Sequence, residues 1–322
     1  MYILFSPTQN IPRHSFGGMF MDKSRKISLA LTLLLLFTLP LTVYAKDGAP
    51  IPQNMQLQTY RGIAMEGKLL ATDPEGDAIV SYQLATPPVK GVVTINADGS
   101  FIYTPKENKR GKDYFGYTVT DDKGNTSQEA TVIISLVKQK TNVTYSDLQN
   151  NGTHYDALRL AEEEIFTGEQ IGGQYVFSPN TMVSRGEFLS MCMALSDSPV
   201  LSGVTTTGYS DDGNIPDWQK KYISTALITG AISKTNETGS TNFDSTAPIT
   251  CAQAAVMIDR IFSLSKVTAA NMTNQAPSWA AQSVANLIAC NVLSENCDTA
   301  QYLNRAMTAE IFSNLMDILE KR

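Results

Sequence analysis

Histidine and tryptophan are scarce in this chain of 322 residues, with two of each, and there are four cysteines. Only His154 lies beyond the first apolar segment, and no cysteine or second histidine stands at ligand spacing from it, so a zinc site of the usual kind is excluded. There is no nucleophile elbow, no phosphate-binding loop and no paired-cysteine zinc signature. Positive charge is in deficit: 25 Lys and Arg against 31 Asp and Glu leave a net charge of -6, which argues against a nucleic-acid partner. Paired carboxylates can cut glycosidic bonds, but Glu162, Glu163 and Glu164 fall on an exposed face, where solvation is the simpler reading. The expectation is a protein that is not an enzyme and that holds no cofactor or metal.

The chain also lacks a long apolar run. Ile27 to Leu41 supplies about 15 apolar residues, short of the roughly 20 that cross a bilayer. Lys23, Arg25 and Lys26 precede this run and Val43-Tyr44-Ala45 follow it, the order of a secretory leader cut after Ala45. A membrane anchor is the alternative. Residues 1–18 read as an extension upstream of a start at Met19 or Met21, so 1–45 is start extension plus signal peptide. Residues 46–56, with Gly48, Pro50 and Pro52, read as a linker.

From Leu57 to Lys138 the apolar period is two: Val80, Tyr82, Leu84; Phe101, Tyr103; Phe115, Tyr117, Val119; Val132, Ile134, Leu136. Asn96-Ala97-Asp98-Gly99 and Asp122-Lys123-Gly124-Asn125 separate these runs as hairpin turns. A small all-β sandwich is predicted over 57–138. The strings Ala71-Thr72-Asp73-Pro74-Glu75-Gly76-Asp77 and Asp113 to Asp121 resemble the bacterial Ig-like or cadherin-like repeats of surface proteins, which act as spacers or adhesive modules. Asp73, Glu75 and Asp77 can offer carboxylates to Ca²⁺, or simply form a solvated loop.

Beyond Asn142 one plan occurs three times. Val183-Ser184-Arg185-Gly186-Glu187, Ile249-Thr250-Cys251-Ala252-Gln253 and Leu303-Asn304-Arg305-Ala306-Met307 each place a capping side chain before a helical apolar stripe. Glu187 and Gln253 complete capping boxes; Met307 cannot. Tyr145-Ser146-Asp147 and Tyr209-Ser210-Asp211 open the first two copies, and Tyr155, Trp218 and Trp279 mark an earlier helix in each. Recurrence at this length calls for a repeat architecture.

The layout resembles the S-layer homology repeat of bacterial cell surfaces, with units at 142–200, 205–265 and 272–320. The resemblance implies an all-α trio packed around a pseudo-threefold axis, with grooves that bind cell-wall polysaccharide carrying anionic ketal-pyruvate groups. It assigns Arg185, Glu187 and Arg305 to the charged part of the ligand sites and Trp218, Trp279 and Tyr155 to flat surfaces for sugar rings. A guanidinium makes two parallel charge-assisted bonds to a carboxylate, and a helix start adds partial positive charge. The alternative is that these arginines pair with a surface carboxylate or with Glu187. Cys251 removes the arginine of the second motif.

The sequence-level reading is therefore a multidomain, non-catalytic protein of the bacterial cell wall or surface, secreted, with no stable transmembrane span after leader cleavage. It binds secondary cell-wall polysaccharide or peptidoglycan, and its Ig-like domain is open to a protein ligand. A wall-associated hydrolase and a protein-protein interaction module are the competing readings. Lys138 to Asn142 is polar, so the two parts are expected to fold separately. Cys290 and Cys297 share one short connection and form either a small disulfide loop or two free thiols, while Cys192 belongs to the core.

Overall fold

The computed structural model describes residues 48–149, 151–235, 239–264 and 276–321. The leader and the first residues of the expected linker lie outside them.

Nine strands come first: β1 (Ile51–Pro52), β2 (Met55–Tyr60), β3 (Met65–Lys68), β4 (Ala71–Thr72), β5 (Ile79–Thr86), β6 (Gly91–Ile95), β7 (Ser100–Pro105), β8 (Gly111–Asp121) and β9 (Ala130–Val137). They form a sandwich of two sheets, ordered β2-β9-β8-β5 and β3-β7-β6, with β1 paired to β4. Phe101, Tyr103, Phe115, Tyr117, Val132 and Ile134 fill its interior, each at most 1% exposed. Their alternation with polar residues is what makes one face of each strand worth burying.

Two local expectations change. The stretch expected to link is structured from Ile51 onward. Met55–Tyr60 runs parallel to Val132–Val137, and the Tyr117 hydroxyl accepts a hydrogen bond from the Gln53 N–H at 3.1 Å. Pro52 is tolerated because its strand is a short edge pair, where a missing N–H costs little. In β5, Val80 and Leu84 face solvent rather than the core. Irregularities in the pairing with β8 between Ile79 and Ser81, and between Leu84 and Thr86, break the strict alternation on this strand; Ile79 and Tyr82 reach the core, the latter stacked on Tyr117.

The C-terminal region is helical: α1 (Thr153–Glu162), α2 (Arg185–Leu195), α3 (Asp217–Ile228), α4 (Cys251–Phe262), α5 (Ala281–Ala289) and α6 (Arg305–Leu319). It is not purely α. A hairpin, β10 (Glu169–Ile171) and β11 (Gln174–Val176), turns at Gly172 and Gly173, whose φ values of 60° and 83° suit residues without a Cβ.

Local chemistry explains the helix starts. Ser184 and Thr250 accept from the N–H of Glu187 and Gln253, and those side chains accept in return from the cap N–H, so both capping boxes form. Asn304 accepts from the Met307 N–H without a return bond. Asp147 and Asp211 do the same task in parallel places. Asp147 accepts from the N–H groups of Phe177 and Ser178 at 3.0 and 2.7 Å; Asp211 accepts from Phe243 and Asp244 at 2.8 and 2.9 Å. Each clamp holds a phenylalanine against the tyrosine two residues before the aspartate, with ring centroids 5.4 Å apart in both.

The three capped starts are tied in a closed cycle. Val183 N–H donates to the Leu303 carbonyl, Leu303 to Ile249, and Ile249 back to Val183, at 2.9, 2.9 and 3.0 Å. The first helical N–H groups close a second cycle in the opposite sense: Arg185 donates to Ala247, Cys251 to Gln301 and Arg305 to Thr181, all at 2.9 Å. Helix-start donors have no partner inside their own helix; here each finds one in the loop of the next helix pair. Close approach requires small residues one step further on, and Gly186, Ala252 and Ala306 occupy those places. A Cβ on Gly186 would fall 2.1 Å from the Gln219 Oε1 atom. Beneath the cycle, Phe188 and Phe312 meet edge to face, 5.4 Å apart and fully buried.

Tyr60 joins the two regions. It is 3% exposed and belongs to the apolar core of the helical region, with its ring 5.5 Å from Tyr155 and its hydroxyl donating to Glu162 at 2.8 Å. The polar connector therefore does not mark a gap in packing. Tyr60→Phe is expected to cost about 1.5–3 kcal/mol, the value of one hydrogen bond to a charged acceptor. Chemical denaturation followed by helical and aromatic signals checks it; an unchanged midpoint would mean the Glu162 contact contributes nothing.

Candidate binding site

Two of the three positions around the cycle carry a groove, and each is built from three helix pairs. In the first, a cavity of about 340 Å³, the walls are Ile165, Phe166, Phe177 and Met191, with Glu187 from the capped helix α2. Trp218 and Tyr222 enter from α3 and Arg305 from α6. In the second, about 200 Å³, Ile232, Gln253 and Met257 form the body, Arg185 enters from α2 and Trp279 from the turn before α5. The correspondence is residue by residue: Arg305 with Arg185, Trp218 with Trp279, Glu187 with Gln253, Met191 with Met257.

Both arginines are held over a ring. The Arg305 guanidinium lies 5.0 Å from the Phe166 centroid and that of Arg185 lies 5.2 Å from Phe243. Such stacking fixes the plane of a guanidinium and leaves its edge for anions. Arg305 also donates to the Phe177 carbonyl at 2.9 Å and to Glu169 at 2.8 Å. The partner of Arg305 is thus a surface carboxylate on β10. Glu187 instead accepts from the Ser184 N–H at 2.9 Å. The tryptophans are unusually open for their size, Trp218 at 53% and Trp279 at 42%.

Thr308 was not legible as a site residue. It lines the first groove, is 1% exposed, and its hydroxyl meets no hydrogen-bond partner among the described residues. A buried hydroxyl without a partner costs about 1–3 kcal/mol, so an oxygen or hydroxyl of a bound molecule has a ready place there. The only sequence signal was its position one residue after the motif's Met307.

The third position differs. Cys251 stands where the others have arginine, Met307 where they have Glu187 or Gln253, and Tyr155 where they have tryptophan. Tyr155 is half-buried under Tyr60, and burial pushes its hydroxyl up to about 12. Arg159, on the same helix, reaches across to α6, where it donates to the Ser313 carbonyl at 3.0 Å and pairs with Asp317 and with Glu320, the latter at 3.2 Å. Tyr155 therefore packs against Tyr60 and under the Arg159 guanidinium, 5.9 Å from its ring centroid, and Cys251 replaces the motif arginine at this position. Cys251 lies instead beside Cys297, with the two thiols close enough to perturb one another.

Other singled-out residues have structural partners. One carboxylate oxygen of Asp73 accepts from the N–H groups of Glu75 and Asp77, closing its own turn, and Asp77 pairs with Lys123 at 3.5 Å. His154 is buried against Tyr145, 6.1 Å between centroids, and burial lowers its pKa. Cys192 is fully buried, which raises its thiol.

The architecture is an Ig-like sandwich followed by a closed ring of helix pairs with two aromatic, cationic grooves. Residues 47–135 match the bacterial Ig domain family. The chain is similar to the Surface-layer 125 kDa protein of Lysinibacillus sphaericus, 27% identical over 138 residues, which is 42% of this chain and 11% of that one. It thus spans about a tenth of that relative's length. Among solved structures, the SrpA adhesin of Streptococcus sanguinis overlaps 38% of this chain and 80% of its own at 18% identity and a TM-score of 0.26. An endo-fucoidan hydrolase of glycoside hydrolase family 107 overlaps 29% of this chain and 14% of its own at 18% identity and a TM-score of 0.24. Overlaps this loose carry no weight for fold or function.

Proposed function

We propose that this chain is a non-catalytic protein of the bacterial cell surface. Its helical ring, a trio of S-layer homology repeats, tethers it to anionic, pyruvylated secondary cell-wall polysaccharide, and its Ig domain is the module displayed. The observation that carries this reading is the pairing, twice over, of an exposed tryptophan with a ring-stacked arginine across one groove. A sugar stacks on the indole and its carboxylate meets the guanidinium edge. The similarity to a surface-layer protein and the bacterial Ig domain support the location.

Arg305 already holds Glu169, so a ligand carboxylate must replace it. Glu169 is 56% exposed, so its carboxylate can turn to solvent when a ligand takes its place on Arg305. Arg305→Ala and Arg185→Ala are each expected to weaken binding to intact walls by about tenfold to a hundredfold, the loss of a charge-assisted contact of about 1.5–3 kcal/mol. Glu169→Gln should tighten it a few-fold or leave it unchanged. Sedimentation with intact walls and with walls stripped of secondary polymer measures all three. If both alanine variants stay folded and bind like the parent, the polysaccharide assignment fails, and retention on stripped walls would favour peptidoglycan.

A further inference from the structure

The two cysteines that meet at the third position are far apart in sequence, with about 45 residues between them. Cys251 is the first residue of α4 and is buried; Cys297 is half-buried in the connection after α5. The backbone holds this connection across the helix start: Cys251 N–H donates to Gln301 and Ala252 N–H to Thr299, both at 2.9 Å, and Cys297 N–H closes its own turn on Ser294 at 3.1 Å. The connection that carries Cys297 is therefore held against the start of α4 by the same cyclic bonding that forms the grooves elsewhere. Cys290 remains a separate thiol, packed at the edge of the core.

We propose that Cys251 and Cys297 are an oxidisable pair that closes to a disulfide, stapling the second helix pair to the third at the position where the other two carry an arginine. This inference rests on the contact between the thiols and not on what the open grooves bind. The oxidant is an external disulfide, either a small thiol's or a thiol oxidoreductase's. Cys297 is the more exposed partner, and its interaction with Cys251 lowers its pKa, so it is the thiolate that attacks first. Its sulfur joins one sulfur of the oxidant and the other leaves as a thiolate. Cys251 then loses its proton, attacks the Cys297 sulfur and expels the second. The pair gives up two electrons and two protons in all, and the oxidant departs as two thiols.

Peptide mapping of the full chain tests this directly. The reduced protein is incubated with oxidised glutathione, unfolded with an alkylating agent and digested without reduction. The expected product is one cross-linked peptide joining Cys251 to Cys297, with Cys192 and Cys290 alkylated. The oxidised protein should also melt higher by about 5–10 °C, since a loop of this length is closed in the unfolded chain, and dithiothreitol should reverse the rise. Cys297→Ser should show neither the bridge nor the rise. A Cys290–Cys297 peptide, a glutathione adduct that persists without bridging, or four alkylated cysteines would overturn the proposal, as would a bridge that leaves the melting temperature unchanged. The mapping needs no variant, so a poorly folding substitution does not obscure the answer.

Discussion

Phe312→Ala is expected to destabilise the helical region by about 3–5 kcal/mol, the range for removing a fully buried phenylalanine. Phe312 is 0% exposed and packs edge to face on Phe188, so truncation leaves a void where α2 and α6 meet beneath the cyclic backbone bonds. The ring pairing adds about 0.5–1.5 kcal/mol beyond area burial. A double-mutant cycle with Phe188→Ala should therefore show coupling, because the second deletion removes a partner already lost. Urea denaturation measures the set. Additive costs would mean that the two rings act independently and that the helix pairs are held together elsewhere. Loss of the transition in the helical signal alone, with the sandwich still folded, would show that the cycle is the weaker unit.

Stability should fall as pH rises from about 4 to about 7, because of Asp156. Burial is the chief cause that lifts its carboxyl from 3.8 to about 7; nearby Glu310 and Asp317 lift it further, while a hydrogen bond with Ser313 and the charge of Arg159 oppose the shift. Below pH 4 the group is protonated folded or unfolded and contributes no difference. Between 4 and 7 the unfolded chain releases the proton and the folded chain keeps it, so unfolding gains; above 7 the difference is constant. A shift of this size corresponds to about 2–4 kcal/mol over the window. Glu310, raised by burial and by Glu66, adds in the same direction. Asp156→Asn should remove most of the slope, and unfolding midpoints at intervals of pH measure it. A slope that survives in the asparagine variant would assign the effect to Glu310 and the sandwich contact instead.

Much of this was legible in local pattern. Alternating Phe101, Tyr103, Phe115 and Tyr117 imply a two-faced strand wherever they occur, and Ser184, Thr250 and Asn304 cap helices because a short oxygen-bearing side chain reaches the third N–H without help from the rest of the chain. Arg185, Arg305, Trp218 and Trp279 stood at recurring offsets, so their equivalent places in the two grooves were legible in the sequence. Tyr155 stood at the same offset and was counted with them. Its surroundings depend on Tyr60, about 95 residues earlier, and no periodicity within the repeats reports where the sandwich packs.

The sequence alone determined most strands of the sandwich, the capped helices, the threefold recurrence and the substitution of Cys251 and Met307 into the motif, since each follows from neighbours a few residues away. Only the tertiary structure decided the β10–β11 hairpin, which helix pair lends its arginine to which groove, that Glu169 meets Arg305, that Thr308 is buried without a hydrogen-bond partner among the described residues, and that Cys297 lies beside Cys251. These are consequences of ring closure. A helix start needs acceptors from outside its own helix, the loop of another pair supplies them, and that exchange brings together side chains whose separation along the chain carries no information about their separation in space.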